Sequence, residues 1–285
     1  MKRIIKDFTT EQLPSNRKEL FFDIIKNHYP LLIGLALLMF IFCLPLLGSF
    51  FVSDFLSGNL EQSLKDGVIS QQEHDAAFRL FRLIISGAQV LFLCILSIGM
   101  AGITKVFKRL LFLEPVFFKE DFKLGVKDSW KSMLLIYFIL GVFMMGANMI
   151  GTIPVSPFVR ALPIGIIIAF VFPVFLLLNT NVTIYSNNYF KRLTICSLIY
   201  GKHFFLLFGI SVLAMSPALL FLIGNPLLRY IFLLIIFLFI YPLIIVVYFD
   251  AANHCYDKEL NVFMYKEIYR KGLFGTKDKE EDKKK

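Results

Sequence analysis

Long runs without a single charge alternate along the chain with short segments that carry all of it. Residues 31–52, 83–104, 132–153, 163–184, 203–223 and 230–249 contain no Asp, Glu, Lys or Arg. A helix rises about 1.5 Å per residue, so a hydrocarbon core of about 30 Å takes about 20 apolar residues. Each window meets that length. A transmembrane barrel strand would need about half of it and would alternate apolar and polar positions. These runs are apolar on every face, and in lipid a helix satisfies its own backbone hydrogen bonds. The expected fold is all-α, a polytopic transmembrane helical bundle of six spans with amphipathic interfacial helices.

The intervening segments have patterns of their own. Residues 1–14 are polar. Pro14-Ser15 then opens a short helix whose apolar residues Leu20, Phe21, Ile24 and Ile25 recur at helical spacing. It reads as an amphipathic helix at the interface ahead of span 1. Pro45 and Gly48 predict a kink or loosening near the outer end of that span. Residues 53–82 form the one long polar connection on their side. Within it Ser70-Gln71-Gln72-Glu73 resembles a capping box, so 71–82 is expected to be helical and continuous with span 2. It reads either as a contact surface or as a solvated connector.

Phe118, Phe122, Val126 and Trp130 stand four apart, and Lys119, Lys123, Lys127 and Lys131 follow them one position on. A four-residue step drifts about 40° around a helix, so each series is a slowly winding stripe. The aromatic stripe can enter the headgroup boundary or the protein while the lysines meet phosphates. A membrane-surface helix is expected, with a partner-docking face as the alternative. Segment 185–202 reads as another surface helix or an extension of span 4 or 5. Gly224-Asn225-Pro226 joins spans 5 and 6 tightly. The tail from Asp250 begins helical, with Leu260, Val262, Phe263 and Tyr269 available for packing. Its end, Lys277 to Lys285, is a mixed charge block expected to be disordered.

Charge sets the orientation. Of 30 Lys and Arg, 25 fall in segments 1–30, 105–131, 185–202 and 250–285. By the positive-inside rule these are cytoplasmic, and both termini lie inside. The organisation is then a cytoplasmic segment 1–30, a membrane domain 31–249 and a cytoplasmic tail 250–285. The net charge of +9 thus gathers on one face, where anionic lipid headgroups are the expected partner. No nucleic-acid-binding motif accompanies it. The first apolar run is too long for a signal peptide. With 57% hydrophobic residues and 18% charged, the chain departs from the balance of a soluble domain in the same direction.

Chemistry is sparse. Cys43, Cys94, Cys196 and Cys255 are widely separated, and His28, His74, His203 and His254 lack metal-ligand spacing. No phosphate-binding glycine loop is present. No catalytic residue, cofactor or metal site is expected, and the chain reads as a non-enzyme. Gln89, Asn148, Asn179 and Asn181 are candidate intramembrane polar groups. They could line a path for a neutral solute, or serve as hydrogen-bond glue between helices. Ser97-xxx-Ala101 and Ala147-xxx-Gly151 read as close-packing faces. Pro163, Pro173, Pro217 and Pro242 interrupt spans 4 to 6, as in some transporters and in many ordinary bundles.

Span 2 ends Ile98-Gly99-Met100-Ala101-Gly102-Ile103-Thr104, followed by Lys105-Val106-Phe107-Lys108-Arg109-Leu110. Next comes the run from Phe118 to Lys131, rich in phenylalanine and lysine. Over roughly residues 95–135 this resembles the YesL-like family of bacterial integral membrane proteins. The 53–82 insert departs from the family's usual pattern. The resemblance implies a multi-pass protein of the bacterial cytoplasmic membrane, encoded in many genomes near carbohydrate-uptake systems. It therefore implies an accessory or scaffold role beside a transport complex, and it brings no catalytic residues. A facilitator or small transporter of a neutral polar solute is the alternative.

The orientation is open to direct test. With the native cysteines replaced by Ala, Lys65→Cys is expected to react with an impermeant maleimide on intact cells, and Lys123→Cys only after permeabilisation. The reverse pattern would overturn the orientation.

Overall fold

The computed structural model describes residues 14–153 and 155–273. The expectations for residues 1–13 and for the charged tail end lie outside them. The described residues are helical with no strands. The elements are α1 (Arg17–Lys65), α2 (Gln71–Leu111), α3 (Phe118–Gly151), α4 (Pro157–Ile166), α5 (Phe172–Ile184), α6 (Tyr189–Lys202), α7 (Phe204–Met215), α8 (Pro226–Phe239) and α9 (Tyr241–Tyr256). A π-helical turn, Ile167–Val171, joins α4 to α5, and a 3-10 turn, Ser216–Leu222, extends α7. Another π-helical turn, Asp257–Asn261, follows α9. Five stretches are long and apolar enough to cross a membrane, and α8 with α9 makes a sixth span bent by 49°. The chain is a polytopic membrane-spanning bundle.

Each of the first three spans belongs to a longer helix than its apolar window. Charge ends a window, whereas only a broken backbone ends a helix. α1 runs on through 53–65, which contain no proline, and α2 begins at Gln71 with the expected capping box: Ser70 Oγ accepts from the Glu73 N–H, and the Glu73 carboxylate accepts from the Ser70 N–H. The 53–82 segment is therefore a helical hairpin with a short turn at 66–70, not a long loop.

The α1 kink lies at His28 (φ −124°, ψ 15°), not at Pro45. Pro30 lacks the N–H that would bond the Lys26 carbonyl, and the backbone turns two residues earlier. The helix before the kink is capped by Asn16, whose side chain accepts from the Glu19 N–H. Its Leu20 and Ile24 are fully buried in the protein core. This stretch is packed into the bundle rather than laid on it.

The aromatic and lysine stripes are likewise not on a separate surface helix, because α3 runs unbroken from Phe118 to Gly151. Its buried face there is Asp121, Gly125, Ser129 and Met133. This face packs antiparallel on α2: Arg109 Nε donates to Asp121 at 3.0 Å, and Lys105 lies 3.5 Å from Asp128. Phe122 packs at Gly102, while Trp130 and the four lysines remain exposed. Of the small-residue faces, Ser97 and Ala101 are fully buried. Gly151 has nothing near it, so the second face is not a close contact.

Prolines break the later spans at points where other groups take over. Pro173 leaves the Ala169 carbonyl without its helical donor, and the Tyr200 hydroxyl donates to that carbonyl. Pro242 accompanies the break at Ile240 between α8 and α9. Asn225 caps α8 with Pro226 in its first turn, as the tight joint required. α6 is a helix of its own, broken from α7 at His203, and it buries Arg192, Cys196, Ile199 and Tyr200. In the tail Leu260 is buried, but Phe263 is exposed.

The α2–α3 contact yields a prediction. A Cβ on Gly125 would lie 2.5 Å from the Ala101 carbonyl oxygen, whereas one on Gly146 meets nothing within 4 Å. Gly125→Ala should cost about 1–3 kcal/mol, and Gly146→Ala should be neutral or slightly stabilising. Unfolding of the detergent-solubilised protein measures both, and equal effects would contradict this packing.

Candidate functional site

The four basic segments meet at one end of the bundle. Arg17 donates to Asp250 at 3.1 Å and to Asp257 at 2.5 Å. Asp257 and Asp250 stand seven apart, two helical turns, and so share a face. Asp257 also accepts from Asn261 Nδ2 at 2.8 Å and from the Arg270 N–H at 3.2 Å. The Tyr185 hydroxyl donates to Asn261 Oδ1 at 2.6 Å. Arg192 donates to the Tyr185 carbonyl at 3.2 Å and to Ser132 Oγ at 2.9 Å. One connected network thus joins α1, the segment after α9, the end of α5, α6 and α3.

Further contacts close this end. Lys108 Nζ donates to the Thr183 carbonyl at 3.3 Å, a cation at the C-terminus of α5. Burial beside Lys105 holds the Lys108 ammonium down at about 8. Lys271 donates to Glu114 at 2.6 Å. Gly272 has φ +86° and approaches the Leu111 carbonyl so closely that a Cβ would collide with it. Lys202 and His203 both face Glu259.

Burial raises the Asp250 carboxyl to about 6, with Arg17 opposing the shift. Burial and the neighbouring Arg17 lower His254. Both line an open groove of about 840 Å³ between the start of α1, α7, α9 and the C-terminal turns.

A second space lies inside the bundle. A cavity of about 290 Å³ is lined by residues from every span, among them Met39, Leu93, Tyr137, Asn179, Met215 and Tyr241. Ile167 and Phe172 at the α4–α5 break, Met215 at the end of α7, and Phe237 and Tyr241 flanking the α8–α9 break all border it. The lining is mostly apolar, and the buried Asn179 Oδ1 has no hydrogen-bond partner among the described residues.

The four candidate polar residues do not come together. Asn179 faces this cavity. Gln89 lines a separate void of about 30 Å³ with Ser86, and Leu46, Leu93 and Met144 wall both spaces. Asn148 donates to Ser86 Oγ at 3.4 Å, binding α3 to α2. Asn181 is fully buried with neither amide atom paired among the described residues. Of the proposed docking stripe, Phe118, Lys119, Lys123, Lys127, Trp130 and Lys131 are exposed, and Phe122 and Val126 are half-buried. No three His, Cys, Asp or Glu side chains among the described residues gather to hold a metal ion.

The sequence reading missed the Arg17–Asp250–Asp257 cluster. Its available signal was the i, i+7 pair of acids directly after span 6. Scans against family models, curated proteins and solved structures return no match.

The cluster carries two expectations. Arg17→Gln leaves two adjoining carboxylates without their shared cation and should cost about 3 kcal/mol. Asp250, raised above its ordinary 3.8, binds a proton in the folded chain before the unfolded chain does. Its contribution therefore favours folding increasingly as pH falls through about 6 toward 4. Asp250→Asn should remove this component from the pH profile of unfolding, and an unchanged profile would contradict the assignment.

Proposed function

We propose that this chain is a non-enzymatic accessory or scaffold component of a membrane transport complex in the bacterial cytoplasmic membrane, with its basic end in the cytoplasm. The α1–α2 hairpin carries the reading. At about 1.5 Å per residue, the helical stretches 53–65 and 71–82 extend about 18–20 Å past the apolar windows. The hairpin exposes Phe55 on α1, Val68 in the turn and Leu80 on α2 at 61%, 75% and 60%. A rigid hairpin of apolar and charged residues suits a flanking membrane subunit as partner. The YesL-like resemblance points to carbohydrate uptake as that partner's task. At the opposite end the exposed lysine stripe of α3 suits anionic headgroups.

The central cavity supports a second reading, a facilitator of a small neutral solute. It is lined by all six spans and bordered by the breaks of the last three, the arrangement transporters use. Its sparse polarity favours the accessory reading, since a polar solute would forfeit hydrogen bonds there.

A tagged pull-down from native membranes in mild detergent tests the proposal. Stoichiometric recovery of a transport-complex subunit is expected, and Phe55→Asp combined with Leu80→Asp should release it. Recovery of the chain alone, with solute flux in reconstituted vesicles, would favour the second reading.

A further inference from the structure

We propose that the groove at the basic end is a binding site for one anionic phospholipid, its phosphate held at a rim of Lys18, Lys258 and Arg270 and its acyl chain laid along Phe21, Leu206 and Val247. The groove's two ends differ in depth. Leu206 and Val247 belong to the apolar windows of spans 5 and 6, whereas Lys18, Lys258 and Arg270 lie outside every window. A ligand filling it therefore crosses the hydrocarbon boundary, apolar below and charged above, as a phospholipid does. The lining is largely apolar, which suits acyl chains better than a free solute anion.

The charges are arranged for an anion. Arg17, Lys18, Lys258 and Arg270 line the groove against two carboxylates, Asp250 and Asp257. Both carboxylates are engaged by Arg17, which leaves the other three cations facing the opening. None of those three side chains makes an ion pair among the described residues. Arg270 adopts a left-handed backbone, φ 55°, rare for a residue with a side chain. Its N–H is fixed on Asp257 at 3.2 Å. Strain held by a buried carboxylate at a groove-lining cation fits a ligand clamp rather than a relaxed turn.

Native mass spectrometry of the full-length protein tests this after exchange into detergent carrying phosphatidylglycerol, phosphatidylcholine or inorganic phosphate. One retained phosphatidylglycerol per chain is expected, with weaker retention of phosphatidylcholine. Inorganic phosphate in excess should not displace the lipid; displacement would mean an anion site and overturn the acyl-chain half of the proposal. Lys18→Gln with Lys258→Gln and Arg270→Gln should lower affinity about a hundred-fold, at about five-fold per basic residue. Val247→Trp, which fills the apolar end and leaves the cations in place, should lower it too. Lys119→Gln with Lys123→Gln, Lys127→Gln and Lys131→Gln should leave the single tight lipid bound. Equal loss in that last variant would show diffuse attraction to the basic face, and full retention in the first two would remove the site.

Discussion

The Asp257 carboxylate is the point on which the basic end depends. It sits just past the last span and takes hydrogen bonds from Arg17, Asn261 and the Arg270 backbone. Through Asn261 the connection continues to Tyr185, and through the Tyr185 carbonyl to Arg192 and Ser132. Lipid tails give helices no hydrophobic reason to associate, so packing and polar contacts must hold a membrane bundle together. A half-buried network at the membrane boundary, where its ions escape the cost of mid-bilayer burial, is a physically economical place for those contacts.

The interior follows a related constraint. Every backbone polar group at membrane depth needs a partner, yet spans 4 to 6 contain prolines that remove donors. Tyrosines supply replacements and bridges: Tyr200 covers the Ala169 carbonyl, and Tyr256 donates to the Leu177 carbonyl at 2.8 Å. Residues at the breaks, Ile167 and Phe172 in span 4, Met215 in span 5 and Phe237 and Tyr241 in span 6, border the central cavity.

Helix class and the number of spans were legible because charge exclusion from lipid writes directly into composition. The Ser70–Glu73 box and the Asn225-Pro226 joint were legible as local chemistry. Helix lengths were not, since residues 53–65 are polar enough to end a hydropathy window and helical enough to continue α1. The α3 stripes misled because periodicity shows which residues share a face, not which face is buried. Here α2 takes Asp121, Gly125 and Ser129, the small and polar side, because Gly125 lets the backbones approach. Arg17 and Asp257 lie 240 residues apart, and nothing local marks such a pair. The four intramembrane polar residues share a chemistry but not a place, and only Asn179 meets the cavity.

A groove charged at its rim, a projecting hairpin at the other end and an apolar cavity between them make an architecture suited to binding lipid and protein neighbours. That architecture requires the four basic segments to lock together on one face. Cross-linking Glu114→Cys to Lys271→Cys with a short bifunctional maleimide, in native membranes and a background without other cysteines, tests this most directly. The account predicts rapid intramolecular cross-linking, because the native side chains meet at 2.6 Å. Failure of this pair, with efficient cross-linking of Lys65→Cys to Lys271→Cys, would place the two basic segments on opposite faces and contradict it.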